Sequence, residues 1–169
     1  MNLKNIYQKN FWSNEKYAKK QGVDIDENCK IYIRNFGSEP YLIKIGNHVQ
    51  ITRDVRFFTH GSAWVLRNVY PDMDFFGKIC VKNNVYIGSC SLIMPGVTIG
   101  NNVIIAAGSV ITKSVNDNMI VDGNPAKVIG KLDDFENKII PFNLKTKGMN
   151  YYKKKKMLLK QEKSLFIKK

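Results

Sequence analysis

Residues 81–115 read VKNNVYIGSCSLIMPGVTIGNNVIIAAGSVITKSV. Every sixth residue from Val81 is a β-branched aliphatic: Val81, Ile87, Ile93, Ile99, Ile105 and Ile111. Four residues after each comes a small or β-branched residue: Val85, Ser91, Val97, Val103, Ser109 and Val115. With a chance of about one in four per position, twelve matches arise at random with a probability on the order of 10⁻⁷, so the repeat is real. An α-helix repeats every 3.6 residues and an exposed strand every 2, so neither explains a period of six. A coil of three short strands does, with one hexapeptide on each side of a triangle. The aliphatic residue points inward and the small one fits where the chain turns the corner. Residues 18 apart then stack, Ile87 on Ile105, Ile93 on Ile111 and Val81 on Ile99, and successive coils pair as parallel strands. Gly88, Gly100, Asn83-Asn84 and Asn101-Asn102 supply turn chemistry.

The pattern extends upstream through Ile45/Val49, Ile51/Val55 and Phe57/Gly61, with an earlier, interrupted start at Ile25/Cys29. The irregular NFGSEPY falls between Ile33 and Ile43. Residues 58–78 leave the repeat, yet Phe57 and Val81 remain in phase, so the stretch is an excursion from the coil and not a domain boundary. Long loops in compact domains are often functional. Residues 3–21 read as an amphipathic helix capping the first coil within an N-terminal segment 1–21, since open coil ends need covers. The domain is expected to span 1–132, with a tail at 133–169 whose helix is capped by Asp133 or Asp134.

IGSCSLIMPGVTIGNNVIIAAGSVITKSV followed by DGNPAKVIGKL closely resembles the hexapeptide-repeat acyltransferases over roughly residues 22–132. The resemblance implies an all-β fold, a left-handed parallel β-helix that departs from the usual right-handed crossover. GSEPYLIKIG, the His60 segment and FFGKICVKNNVYIG are similar to the branch acting on bacterial surface polysaccharides and sugar nucleotides. It also implies a homotrimer with active sites between subunits, and acetyl coenzyme A as co-substrate.

Composition narrows the alternatives. The chain has 169 residues, room for one core. No apolar run suits a membrane span, and the N-terminus carries no export signature. Three cysteines without a CxxC read as reduced thiols in a cytoplasmic protein. The net charge is +13, but residues 145–169 hold ten lysines against one glutamate, so the tail carries most of it. There Tyr151, Leu158 and Leu165, and Tyr152, Leu159 and Phe166, recur every seven residues. Read as one helix, they form an apolar stripe flanked by lysines, the pattern of a peripheral contact with anionic membrane. The chain has only two histidines, which leaves a three-histidine zinc site unsupported, so no metal is expected. No phosphate-binding glycine motif and no nucleic-acid-reading motif occurs.

Acetyl transfer from a thioester to an alcohol needs a base for the acceptor hydroxyl, a donor for the developing oxyanion and exclusion of water. Neutral imidazole suits the first task. The family places its catalytic histidine at the start of this excursion, and His60 matches it. Relatives commonly read His-Asp-Gly-Gly where this chain reads His60-Gly61-Ser62-Ala63, so another group must orient the ring; Glu39 and a backbone carbonyl are the candidates. Asn35, Ser38 and Trp64 are placed at the acceptor. His48, at a turn where asparagine is common, reads as structural. The resemblance puts the pantetheine arm along Ser89 and Ala107, Thr112 and Lys113 on one coil edge, Pro125 in the closing loop, and Lys127 and Lys131 at the phosphates. The expected function is acetylation of a sugar hydroxyl in surface polysaccharide synthesis. The alternatives are N-acetylation of an amino sugar or sugar nucleotide, acetylation of a xenobiotic, or a non-catalytic β-helix used for assembly.

Overall fold

The computed structural model describes residues 12–168, and the chain divides into two compact units between Leu132 and Asp133. In the first unit, helix α1 (Asn14–Gln21) starts where the Ser13 hydroxyl accepts from Lys16 N–H and stops at Gly22, whose φ of +107° lets its N–H reach the last turn. Residues 3–11 of the expected capping helix lie outside the described residues. Ala18 of α1 is fully buried in the core at the first coil.

The coils follow in order. The first holds β1 (Asp24–Ile25) and β2 (Lys30–Ile31); the second β3 (Ile43–Ile45), β4 (Gln50–Ile51) and β5 (Arg56–Phe57). The third holds β6 (Ile79–Val81), β7 (Val85–Ile87) and β8 (Leu92–Ile93); the fourth β9 (Thr98–Ile99), β10 (Val103–Ile105) and β11 (Val110–Ile111). A hairpin of β12 (Met119–Gly123) and β13 (Ala126–Lys131) closes the stack. The three faces run β1-β3-β6-β9, β2-β4-β7-β10-β12-β13 and β5-β8-β11, parallel throughout except for the β12/β13 pair. This is a parallel β-helix, and the expected stacks are present: Val81 pairs with Ile99, Ile87 with Ile105 and Ile93 with Ile111.

Both inward positions of every hexad from Val81 to Val115 are buried, including Ser91 and Ser109 at 0 % exposure. A hydroxyl there would be costly without partners. Ser91 donates to the carbonyls of Gly88 and Ala106 and so bridges two coils, and Ser109 donates to the Ala106 carbonyl of its own coil.

At one corner Asn28, His48, Asn84, Asn102 and Asn118 all adopt left-handed φ between 55° and 63°, a region where asparagine is the least penalised side-chain-bearing residue. Their side chains form a ladder: His48 Nδ1–H donates to Asn84 Oδ1 at 2.8 Å, Asn84 Nδ2 to Asn102 Oδ1 at 2.8 Å, and Asn102 Nδ2 to Asn118 Oδ1 at 2.9 Å. A second ladder links Asn47, Asn83, Asn101 and Asp117, each oxygen also accepting a backbone N–H of the coil before it. His48 is thus a rung of the corner.

The strand offsets locate the irregularities. Asp24 pairs with Lys44, Ile43 with Ile79, Val81 with Ile99 and Ile104 with Ile120, so successive offsets are 20, 36, 18 and 16 residues. The first coil carries two extra residues, and the excursion adds one whole coil's length between the second and third.

The second unit contains α2 (Leu132–Ile139) from its second residue onward, and α3 (Tyr151–Lys160). Two expectations are corrected. Asp133 and Asp134 lie in the first turn of α2 and do not cap it; there they still favour the positive end of the helix dipole. The seven-residue stripe does not lie on one helix, because α3 ends at Gln161 in extended backbone (ψ 149°) and Leu165 and Phe166 fall beyond it.

A Cβ built on Gly88 would sit 2.4 Å from Ala107 N, in the backbone of the coil stacked on it, whereas one on Gly130 meets nothing within 4 Å. Gly88→Ala should lower stability by about 1–3 kcal/mol through overpacking. Gly130→Ala should be near neutral. Chemical denaturation of both variants measures the difference.

Candidate active site

The excursion leaves the third corner at Thr59-His60 and returns at Phe76-Gly77. Its stems are tied: His60 and Phe76 form an antiparallel bridge, Gly77 N–H donates to Thr59 O at 2.7 Å, and the His60 and Phe76 rings lie 5.7 Å apart. His60 is therefore held where the regular coil ends, on a rigid stem.

The irregular segment of the first coil stands against this stem. Phe36 and Phe57 stack at 5.5 Å in the core, which carries the chain past Asn35 and Gly37 to Glu39. One carboxylate oxygen of Glu39, Oε2, accepts from both Thr59 Oγ1–H and His60 Nδ1–H, the latter at 2.8 Å. Thr59 is 1 % exposed. The Glu39 side chain is 14 % exposed and that of His60 42 %. The Thr59 hydroxyl first, and then the His60 imidazole, hold the Glu39 carboxyl below its ordinary range. A charged Glu39 fixes the proton of His60 on Nδ1 and leaves Nε2 as the basic nitrogen. The group bonded to the His60 ring is thus the Glu39 carboxylate and not a backbone carbonyl.

His60 lines a hollow of about 320 Å³ with Asn35, Gly37, Ser38, Arg56, Phe57, Phe58 and Thr59. The structure thus brings four of the residues singled out in the sequence into one place: Asn35 and Ser38 on the wall, His60 on the rim and Glu39 behind it. Trp64 stands apart from this lining, 79 % exposed on the excursion. Thr59 and Arg56 were not foreseen. Thr59 had a signal: Glu39 precedes it by 20 residues, the same offset that pairs Asp24 with Lys44 and Lys30 with Gln50.

The residues assigned to the coenzyme are spread from the corner before the third face, past the end of β11, to the β12/β13 hairpin on the second face. Ser89 and Ala107 stack at that corner, where Gly108 N–H donates to Ser89 O and Ser89 Oγ–H donates to Thr52 Oγ1. Half-buried Ser89 and exposed Ala107 present a shelf of small side chains, and the close Gly88–Ala107 stacking keeps it flat. A slender chain fits such a shelf. Thr112 and Lys113 line a separate hollow of about 220 Å³ with Ala126 and Val128 of β13. Pro125 is exposed at the hairpin tip, and Lys127 and Lys131 are exposed along β13. These positions do not gather into one cavity. Among the described residues no cluster of three metal-ligating side chains forms.

The fold and repeat match known proteins. The bacterial transferase hexapeptide family (six repeats) matches residues 81–113. The chain is 47 % identical to Protein CapG of Staphylococcus aureus over 149 residues, 86 % of this chain and 87 % of that one. It is 36 % identical over 97 residues to the galactoside O-acetyltransferase of Escherichia coli K12, covering 57 % of this chain and 47 % of that one. The chain thus spans nearly all of CapG but about half the length of the second relative. Among solved structures, a galactoside acetyltransferase in complex with coenzyme A superposes with a TM-score of 0.59 and 27 % identity, over 78 % of this chain and 79 % of that one. The chain belongs to the hexapeptide-repeat transferase family, and its coil is that family's left-handed parallel β-helix.

Thr59→Val removes one of the two donors to Glu39 and should raise the Glu39 carboxyl toward its ordinary value, read by NMR titration of the side-chain carboxyl. The folded-state value is the lower one. The stabilising contribution of Glu39 is therefore present above its unfolded value of about 4.3 and lost as pH falls through the folded value. In Thr59→Val the contribution should be smaller and its loss complete at higher pH.

Proposed function

We propose that the protein transfers an acetyl group from acetyl coenzyme A to a sugar hydroxyl in surface polysaccharide assembly, with His60 as general base. The observation that carries the reading is the Thr59–Glu39–His60 relay at the rim of a hollow lined by Asn35 and Ser38. Nε2 of His60 takes the proton of the acceptor hydroxyl as that oxygen attacks the acetyl carbonyl carbon; the carbon–sulfur bond of the thioester then breaks, and the imidazolium returns the proton to the leaving thiolate. Glu39 keeps the ring in the required tautomer and balances the imidazolium that forms. Thr59 holds the carboxylate in place. Asn35 and Ser38 offer hydrogen-bonding groups to the acceptor. The thioester of coenzyme A supplies the acetyl group when bound, and the Ser89–Ala107 shelf with Thr112 and Lys113 would hold the coenzyme. Pro125, Lys127 and Lys131 extend that surface toward its phosphates. The names of the galactoside O-acetyltransferase relatives favour a hydroxyl acceptor over an amine.

His60→Ala should lower turnover by roughly 10²–10⁴, the usual loss with a general base, while thermal unfolding stays near the parental value. His48→Ala, in the corner ladder, should retain turnover. A coenzyme A release assay with simple galactosides decides; parental rates in His60→Ala would reject the base assignment.

The same reading includes a homotrimer that completes the site across subunits, in the cytoplasm. Its support is the excursion, where Trp64, Val65, Val69 and Tyr70 are 56–79 % exposed, more apolar surface than a lone loop comfortably presents to water. Peripheral contact with anionic lipid rests on α3, where Tyr151, Tyr152 and Leu159 are exposed beside Lys153–Lys156 and Lys160. No helix among the described residues is long and apolar enough to cross a membrane. Light scattering should give three chains per particle. Vesicles rich in anionic lipid should sediment the full chain at low salt but not a variant lacking 147–169. A monomer, or equal negligible sedimentation of both proteins, would reject the respective part.

A further inference from the structure

Two hollows meet at the Asn35–Ser38 segment. The first, with His60, contains Arg56; the second, about 500 Å³, is lined by Tyr17, Gln21, Arg34 and Pro40 and shares Asn35, Gly37 and Ser38 with the first. Neither lining contains an aspartate, a glutamate or a lysine. Glu39, which adjoins the shared segment, is bonded to Thr59 and His60, and Asp54, two residues before Arg56, forms no ion pair with it.

Arg34 is half-buried and fixed by neutral groups alone. Its Nε–H donates to Asn14 Oδ1 at 2.6 Å, its Nη2–H donates to Trp12 O at 2.8 Å, and its guanidinium lies 5.3 Å from the centre of the Tyr17 ring. Arg56 projects from the outer side of β5, since its neighbour Phe57 faces the core. Neither arginine has a carboxylate partner among the described residues. Two guanidinium forks without counter-charges, beside a rim histidine, form a field that favours an anion.

We infer that the acceptor is an anionic glycoside, with Arg56 binding its negative group beside the acetylated ring and Arg34 extending the site along the N-terminal cap. The inference rests on the acetyltransferase reading for the word acceptor, but the anion site itself stands on the two hollows. The anion is a carboxylate on the sugar ring or a phosphate at its anomeric position. The planar guanidinium meets both through paired N–H···O bonds. The coenzyme's phosphates are assigned elsewhere, to residues of the hairpin.

The test uses the full chain saturated with coenzyme A, so that coenzyme phosphates cannot compete, and reads binding without turnover. Calorimetry compares a methyl galactoside, the corresponding methyl galacturonoside and galactose 1-phosphate. At least one anionic sugar should bind tenfold or more tighter than the neutral one, as a charge-assisted contact implies. Which of the two gains identifies the source of the anion. Arg56→Gln, whose side chain is exposed and lies outside the core, should abolish the preference with unchanged thermal unfolding, and Arg56→Lys should restore part of it. Equal affinity for all three sugars, binding of none, or a preference that survives Arg56→Gln would overturn the inference. Since no turnover is measured, a failed acetyl-transfer assay with the charge preference intact would reject the catalytic reading and leave the anion site standing.

Discussion

Everything in the first unit depends on each coil returning directly above the one before. Parallel strands pair only in register, and the inward aliphatic residues bury only if their neighbours lie beneath them. Eighteen residues satisfy both conditions at three hexads per turn. The corner asparagines hold the register from outside: left-handed backbone at Asn84, Asn102 and Asn118 turns the chain, and their side-chain amides are mutually satisfied along the stack. From inside, the Ser91 hydroxyl holds it by bonding a carbonyl of its own coil and one of the next. Core burial and corner hydrogen bonding therefore demand the same periodicity, the agreement between levels that gives a sequence one structure.

The site arises where that periodicity is broken without being lost. Two extra residues in the first coil bulge outward as the Asn35–Pro40 segment, and eighteen extra residues leave as the excursion. Both occur on the third side, one coil apart. The bulge thereby delivers Glu39 to the stem from which the excursion carries His60. A regular coil would present only strand faces here. The candidate site gathers polar side chains that the repeat has no place for, on stems tied to its backbone.

The period of six made the coil and its stacking partners legible from residues alone, because burial repeats at every turn. The excursion was legible through phase. Glu39 was one of two candidates for the partner of the His60 ring, and the structure shows the contact with Glu39; the 20-residue offset would have pointed to Thr59 as well. Arg56 was hidden because an outward strand position in a repeat carries no constraint that sequence can reveal. The tail misled for a related reason. Tyr151, Leu158 and Leu165 keep a helical spacing, but spacing alone does not sustain a helix past Gln161. Asp133 and Asp134 showed where a helix begins, yet not which residue opens it.

A parallel coil has no natural last turn: its final strands display the same unpaired backbone groups that bound the coil before, and a second molecule's first coil would satisfy them. The β12/β13 hairpin answers this on the longest face. β12 still runs with the stack, but β13 runs against it, and its pairing with β12 occupies that edge with chain of opposite direction. The shortened final offset of 16 residues, with Val115 bridging Ile99, draws the last coil inward as well. The outermost strand there no longer repeats the inward-facing pattern, since Val128 and Ile129 are 60 % and 63 % exposed. The hairpin is thus a terminator at this end: it fills with antiparallel chain the edge that an unbroken repeat would offer to the coil of another molecule.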